Sequence, residues 1–356
     1  MLEIVYSFRL PAQPASCEPH GEGHVNRTYL VRLVNGEQYI LQRVSRAAFH
    51  DIPGLMENIA AVTKFLAART DDPRAAMRLV PATDGKDWYV DGEGEYWRMY
   101  AFIENSVCLQ SPERPEDFYQ SAVAFGSFQR MLRDFPAETL HETIPDFHNT
   151  PDRYRKFRAA LEADAAGRAK DVRREIDFAL AREKNASALQ NLLRAGKLPL
   201  RVTHNDTKLN NVMLDVKTHK ALCVIDLDTV MPGLAAYDFG DSIRFGASTA
   251  SEDEKDLGKV SLDLDLYRTF TEGFVTACAG LTDAELDSLP LGAKLMTLEC
   301  GVRFLTDYLE GDHYFAVARP EHNLDRARTQ FKLVADMEQK WDAMCSIVQE
   351  AKQKTC

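Results

Sequence analysis

His204-Asn205-Asp206-Thr207-Lys208-Leu209-Asn210-Asn211, followed by the apolar run Ala221-Leu222-Cys223-Val224-Ile225 and then Asp226, is the stretch whose reading decides the fold. It sets an acid, an Asn five residues on, and a second acid twenty residues on at the end of a strand-like run. Phosphoryl-transfer enzymes space a proton-accepting carboxylate and two magnesium-binding oxygens in this way, because the reaction asks for positioning and charge neutralisation more than covalent help. Asp206 then accepts the proton of an attacking hydroxyl, and Asn211 and Asp226 hold Mg²⁺ on a triphosphate. An H-x-D-x-x-x-x-N match also arises by chance as a turn with Asx caps, so its flanks matter. Leu198-Pro-Leu-Arg-Val202 has the character of a short strand entering the loop. Val212-Met-Leu214 and Leu222 to Ile225 form a hairpin pattern around a turn at Lys217 to Lys220. A loop carrying Asp206 and Asn211 is thus expected to face a hairpin carrying Asp226.

A second run competes for the metal. Asp238-Phe239-Gly240 spells the metal-binding tripeptide of protein kinases. It follows a Met231-Pro232-Gly233 turn, thirty-two residues past Asp206, whereas Asp226 sits directly at a strand end. Asp226 is therefore the expected ligand, Asp228 a weaker candidate, and Asp238 is expected to cap or brace the next helix.

These segments resemble the aminoglycoside phosphotransferase superfamily, and within it the N-acetylhexosamine 1-kinases. The resemblance is carried by Arg201 to Asn211, Ile225-Asp-Leu-Asp-Thr229, Tyr237 to Ser248 and Glu299 to Asp312, and it runs through nearly all 356 residues. The first two segments are shared across the superfamily; the last two are particular to the sugar-kinase branch. The resemblance implies a protein-kinase-like fold, ATP with Mg²⁺ as cofactors, and transfer to the C1 hydroxyl of N-acetylglucosamine or N-acetylgalactosamine. In the resembled enzymes an Arg and a Tyr of the late helical segment contact the sugar, and Arg303 and Tyr314 match them. Without the resemblance, Arg303 would be read as an ion pair with Glu299 or Asp307 at helical spacing, and Tyr314 as a half-buried aromatic.

Upstream, Pro19 to Tyr29 precedes the alternating run Tyr29, Val31, Leu33 and contains a G-x-G turn. An ordinary hairpin accounts for such a turn, but glycines also let backbone N–H groups approach phosphate. In a kinase-like chain Gly21, Gly23, Asn26 and Thr28 become nucleotide-loop residues, and His24 borders the sugar. The next strand, Gln38 to Arg43, occupies the place where kinases carry a phosphate-pairing lysine; here the slot holds Gln42, with Arg43 on the opposite face. A neutral amide supplies no charge, which also opens the alternative of a non-catalytic nucleotide-binding protein. Glu95 to Glu104 reads as a strand ending at the hinge of the resembled fold, where adenine would bond backbone groups near Phe102, Ile103 and Glu104.

The fold class expected is α+β with two lobes: a small β-rich nucleotide lobe over 1–104, with one helix near Leu55 to Ala68, and a larger, mainly helical catalytic and sugar-binding lobe over 105–356. Mixed charges around Phe157, Leu161, Ile176 and Leu180 indicate solvated helices between Asp152 and Arg194, and Glu321 to Lys354 reads as a packing helix. Hydrophobic residues make up 45% and charged residues 27%, enough for a large core. No apolar run approaches the ~18 residues of a membrane span, and no charged-then-apolar signal opens the chain. A cytoplasmic monomer acting on a small-molecule sugar and ATP is expected. The net charge of −11 argues against nucleic-acid and anionic membrane partners. Seven cysteines without a C-x-x-C pair indicate neither a disulfide framework nor a zinc site. Spacing and chemistry alone leave choline-, homoserine- and aminoglycoside-type kinases open.

Overall fold

The computed structural model describes residues 1–21, 25–110, 112 and 114–355. The chain forms two compact units, the first built from Met1–Cys108, Met131–Pro145 and Val212–Pro232, the second from Leu109–Arg130, Asp146–Asn211 and the chain from Gly233 onward.

In the first unit a short helix α1 (Leu2–Val5) precedes an antiparallel sheet of order β1-β2-β3-β5-β4, with β1 Pro14–Pro19, β2 Arg27–Leu33, β3 Gln38–Val44, β4 Tyr89–Val90 and β5 Tyr96–Ala101. Alternation sends Val31, Leu33, Leu41, Trp97 and Met99 to one face, where they pack with Val5 and Phe8. The other face carries Thr28, Gln42 and Arg98 as directly opposed residues of β2, β3 and β5. Helix α2 (Ile52–Ala67) starts where expected for its sequence: Asp51 accepts the Gly54 N–H, with Pro in the first turn. The expected hairpin is present as β8 (Val212–Asp215) and β9 (Ala221–Val224), and β6 (Ser106–Cys108) adds a third strand beside β8. Its turn is fixed by Asp215, whose Oδ1 accepts the N–H groups of Lys217 and Thr218 while Arg74 donates to Oδ2. These contacts hold the Asp215 carboxyl well below the usual range, the Thr218 N–H contributing most.

The second unit holds α3 (Pro115–Met131), α4 (Thr150–Ala163), α5 (Arg173–Arg182), α6 (Ala188–Arg194), β7 (Arg201–Thr203), α7 (Ala235–Gly246), α8 (Leu264–Ala277), α9 (Asp283–Glu310), α10 (His322–Gln339) and α11 (Trp341–Thr355); β10 (Met231–Gly233) leads into it. Helix α9 is its axis, started by a Thr282/Glu285 capping box and ended by Gly311 at φ 108°. Against it pack α4, α7, α10 and α11. The fold class is the α+β one expected, with antiparallel strands early and helices late. Two details differ. The strand expected over Leu198 to Val202 is confined to Arg201–Thr203, downstream of Pro199, which has no N–H to give a ladder. The single helix expected over Glu321 to Lys354 is two, broken at Lys340, whose ammonium is drawn to the Ser261 hydroxyl and the Leu262 carbonyl.

The α7–α9 contact depends on absent side chains. A Cβ on Gly240 would lie 2.4 Å from the Gly292 carbonyl oxygen, and one on Gly292 would lie 2.3 Å from that of Ala236. Gly240→Ala is expected to cost about 1–3 kcal/mol through overpacking, read as a lowered denaturation midpoint; an unchanged midpoint would show that the helices part freely.

Among the described residues no helix is long and apolar enough to cross a membrane. The six described cysteines are free, and burial pushes the Cys223 thiol up to about 12.

Candidate active site

Strand β7 delivers the chain to His204, a fully buried ring packed edge-on against Phe125 and Phe128 at 5.5 and 6.0 Å. The loop that follows is held from below by α7. Asp238 takes the backbone N–H of His204 (3.0 Å) and of Asn205 (2.8 Å) on its carboxylate, together with the Gln129 amide (2.6 Å). Its own carbonyl accepts the Thr207 hydroxyl at 2.6 Å. Asp241 takes the Thr207 N–H at 2.9 Å, and Ser242 donates to the Thr207 carbonyl. Asp238 is thus the brace of this loop, wholly buried, and burial raises its carboxyl despite the three donors. Burial also pushes Asp241 up, but the charges of Arg244, Lys208 and His148 outweigh it and its carboxyl lies low.

So clamped, the chain turns through Asn205 at φ 65°, a left-handed conformation that Asn tolerates, and presents Asp206 with its side chain 30% exposed. Asn211, in the turn Leu209–Asn211, donates through Nδ2 to the Asp206 carbonyl (2.8 Å) and carboxylate (3.1 Å). Its Oδ1 accepts no hydrogen bond among the described residues, which suits a hard-cation ligand. Lys208, which the sequence reading passed over, lies 2.9 Å from the Asp206 carboxylate. Burial lowers its ammonium, yet the attraction of Asp206 wins and the pKa is raised. An acid and a cation two residues apart in a rigid loop was the available signal.

A second group of side chains in the same unit surrounds Arg303 on α9. Its guanidinium lies 5.5 Å from the Phe147 ring centroid, 5.8 Å from that of Tyr314 and 5.4 Å from that of Phe315, with the Tyr314 hydroxyl 3.5 Å away. Neither carboxylate proposed as its ion-pair partner is used that way. Glu299 bonds His148 (2.9 Å) and Thr150 (2.7 Å); Asp307 accepts the N–H groups of His313, Tyr314 and Phe315 and the amide of Asn323. Among the described residues Arg303 has no carboxylate partner, and Asp307 instead shapes the loop that carries Tyr314. Tyr314 is 68% exposed, not half-buried. His148 ties this group to the loop that carries Asp206, its Nε2 lying 3.4 Å from the Asn205 carbonyl. Arg153, also unforeseen, donates to the Phe147 carbonyl while its buried Nε has no partner among the described residues; burial and then the charge of Arg303 lower its pKa.

In the first unit Asp226 follows β9, exposed and left-handed at φ 60°. Strain of this kind in a non-glycine collects at functional positions. Asp228, two residues on, is buried: one oxygen is paired with Arg98 and the other accepts the Asn26 amide at 2.5 Å. Asn26 takes the Ser45 N–H on its carbonyl, so both ends of its amide are engaged. The Gln42 amide donates to Thr28 (3.1 Å) and accepts from Arg98 Nε (2.9 Å). Gly21 is left-handed at φ 74° with open space around it; Gly23 and His24 lie outside the described residues. At the strand end after β5 the Phe102 N–H is given to the Gln38 carbonyl, Ile103 accepts the Ser106 hydroxyl, and Glu104 is exposed in a turn.

Solved structures with the same fold include a microcompartment-associated aminopropanol kinase, 17% identical over 96% of this chain and 97% of that one, with a TM-score of 0.63. The amicoumacin kinase hAmiN, solved with AMP-PNP, Ca²⁺ and amicoumacin, is 13% identical over 93% and 92%, TM-score 0.63. The Plasmodium vivax ethanolamine kinase is 15% identical over 88% and 82%, TM-score 0.54. At these identities the likeness establishes the protein-kinase-like fold and nothing finer. Comparison with protein families matches residues 16–267, well over half of the chain, and the loop, hairpin and helix that hold Asp206, Asp226 and Asp238 all fall inside that span. The chain belongs to the APH family of phosphotransferase enzymes.

Proposed function

We propose that this phosphotransferase uses Mg·ATP to phosphorylate the anomeric C1 hydroxyl of an N-acetylhexosamine, giving the sugar 1-phosphate. Asp206 accepts the hydroxyl proton as the oxygen attacks, and Lys208 beside it offsets charge on the transferred group. Asn211 and Asp226 are the magnesium ligands; the ion, when bound, neutralises phosphate charge. Among the described residues no three His, Cys, Asp or Glu gather to hold a metal. Such sparse protein donors suit magnesium, which takes one or two carboxylates plus substrate phosphates. Gly21, Gly23, Asn26 and Thr28 form the nucleotide loop, with Asn26 holding its shape, and Phe102, Ile103 and Glu104 receive adenine. Residues 1–104 serve as the nucleotide lobe and 105–356 as the catalytic and sugar lobe of a cytoplasmic monomer.

The observation that carries the sugar assignment is Arg303, a guanidinium set among three aromatic rings with no carboxylate partner among the described residues. A guanidinium with spare donors fits the carbonyl and hydroxyl oxygens of an N-acetyl sugar, and Tyr314 and Phe315 offer faces to its ring. His24 completes the sugar contacts. The aminopropanol and ethanolamine kinases of similar fold act on amino alcohols; an ammonium group would meet repulsion from a box already filled by Arg303 and flanked by Arg153. Turnover of ATP should therefore appear with N-acetylhexosamines and Mg²⁺, vanish with EDTA, and be absent with amino alcohols and aminoglycosides. Turnover with ethanolamine or choline but no sugar would reverse the assignment. Arg303→Ala is expected to raise KM for the sugar by 10-fold or more, on the order of the loss when a polar substrate group is left unpaired, with KM for ATP nearly unchanged. Equal sugar KM in wild type and variant would remove Arg303 from the site.

A further inference from the structure

Gln42 sits where a phosphate-pairing cation is expected, and the cation lies directly opposite it on the next strand. Arg98 of β5 is the register partner of Gln42, is 1% exposed, and gives its Nε to the Gln42 carbonyl and its Nη1 to Asp228. Its Nη2 has no acceptor among the described residues. A buried pair of this kind has a purely structural explanation, since Asp228 could simply anchor the turn after β9. Tyr100 goes beyond that explanation. It lies two residues along β5 on the same face, 3% exposed, with the Arg98 guanidinium 5.4 Å from its ring centroid. Its hydroxyl has no hydrogen-bond partner among the described residues, although the charges of Arg98, Asp228 and Asp226 all act on it. Leaving a buried hydroxyl unpaired is unfavourable, and an orphan of this kind is one that a water, an ion or a ligand atom can satisfy; here it lies beside a guanidinium with a spare donor.

We propose that Arg98 and the Tyr100 hydroxyl bind the phosphate oxygens of the nucleotide, the cation of the usual β3 position having moved across the sheet to β5. A phosphate oxygen has lone pairs for both the spare Nη2 and the Tyr100 hydroxyl. The planar guanidinium suits this task, as its remaining donors stay on Gln42 and Asp228 while one edge faces the ligand. Gln42 and Asp228 are then positioning residues that fix the plane of the guanidinium, which explains why the β3 slot carries an acceptor amide in place of a lysine. The assignment rests on ATP being the phosphoryl donor.

Calorimetric titration of the full chain with Mg·ATP and with adenosine tests it. Tyr100→Phe removes only a hydroxyl that no described residue hydrogen-bonds, so the variant should fold with an unfolding midpoint equal to or above wild type. Its Mg·ATP affinity should fall about 10-fold, as for a hydrogen bond to a charged group, with adenosine affinity unchanged. Arg98→Gln should lose about 100-fold in Mg·ATP affinity by the same reasoning, and adding Gln42→Lys to it should recover at least about 10-fold, since the charge returns to β3. A wild-type protein that binds Mg·ATP beside a Tyr100→Phe variant that binds it equally well overturns the assignment while leaving the phosphotransferase reading intact, whether or not Arg98→Gln folds. A wild-type protein that binds no ATP overturns both.

Discussion

Asp206→Asn is expected to lower kcat by about 10²–10⁴-fold, the usual contribution of a positioned general base, while the affinity for Mg·ATP stays close to wild type. The separation of the two effects follows from how the loop is built. Its backbone is held by Asp238, Asp241 and Ser242 through the N–H groups of His204, Asn205 and Thr207 and the Thr207 carbonyl, none of which involves the Asp206 side chain. That side chain touches only Lys208 and Asn211 among the hydrogen bonds and ion pairs of the loop. An amide of the same shape leaves the loop in place and cannot accept a proton. Stopped-flow or coupled assay of ATP consumption reads the effect, and a variant that turns over at the wild-type rate would remove Asp206 from the reaction.

The two candidate metal carboxylates should separate just as cleanly. Asp226→Ala is expected to abolish the magnesium-dependent part of ATP binding, because its exposed carboxylate is the one proposed here as the hard-oxygen ligand, with the unfolding midpoint little changed. Asp238→Ala should do the reverse. It leaves the His204 and Asn205 N–H groups and the Gln129 amide without their acceptor in a fully buried place. At about 1–3 kcal/mol for each buried donor, the loss should reach about 3 kcal/mol or more, and turnover falls because the loop unclamps. Titration of each variant with ATP, with and without Mg²⁺, beside a denaturant melt distinguishes the roles. An Asp226→Ala protein with undiminished Mg·ATP affinity would return the metal to Asp238.

The parts of this site that are local in sequence were legible, and the parts that depend on distant pairing were not. Asp206 and Asn211 lie five residues apart in one loop, and the hairpin before Asp226 announces itself by two apolar runs around a polar turn. Asp238 was expected to cap or brace the next helix; it lies inside α7 instead, with no capping role, and its carboxylate grips the loop 34 residues upstream, which only the packing of α7 reveals. Gln42 read as a lost charge because a single strand was in view. The register with β5 brings in Arg98, and its bond to Asp228 joins residues 130 apart. Arg303, a sugar contact by the resemblance, would from spacing alone be a helical ion pair, because Glu299 and Asp307 stand four residues to either side. In the fold both carboxylates are taken, one by His148 from 151 positions away and the other by the backbone of a loop. The break at Lys340 was invisible for the same reason: the residues that draw its side chain away, Ser261 and Leu262, belong to a remote turn.

Phosphorus NMR of the product formed from ATP, Mg²⁺ and N-acetylglucosamine tests the central claim most directly. The expected spectrum gains a resonance split by the anomeric proton, as a phosphate on C1 requires, together with ADP and only in the presence of Mg²⁺. A product phosphorylated at the C6 hydroxyl, or no sugar phosphate at all beside brisk phosphorylation of an amino alcohol, would contradict it.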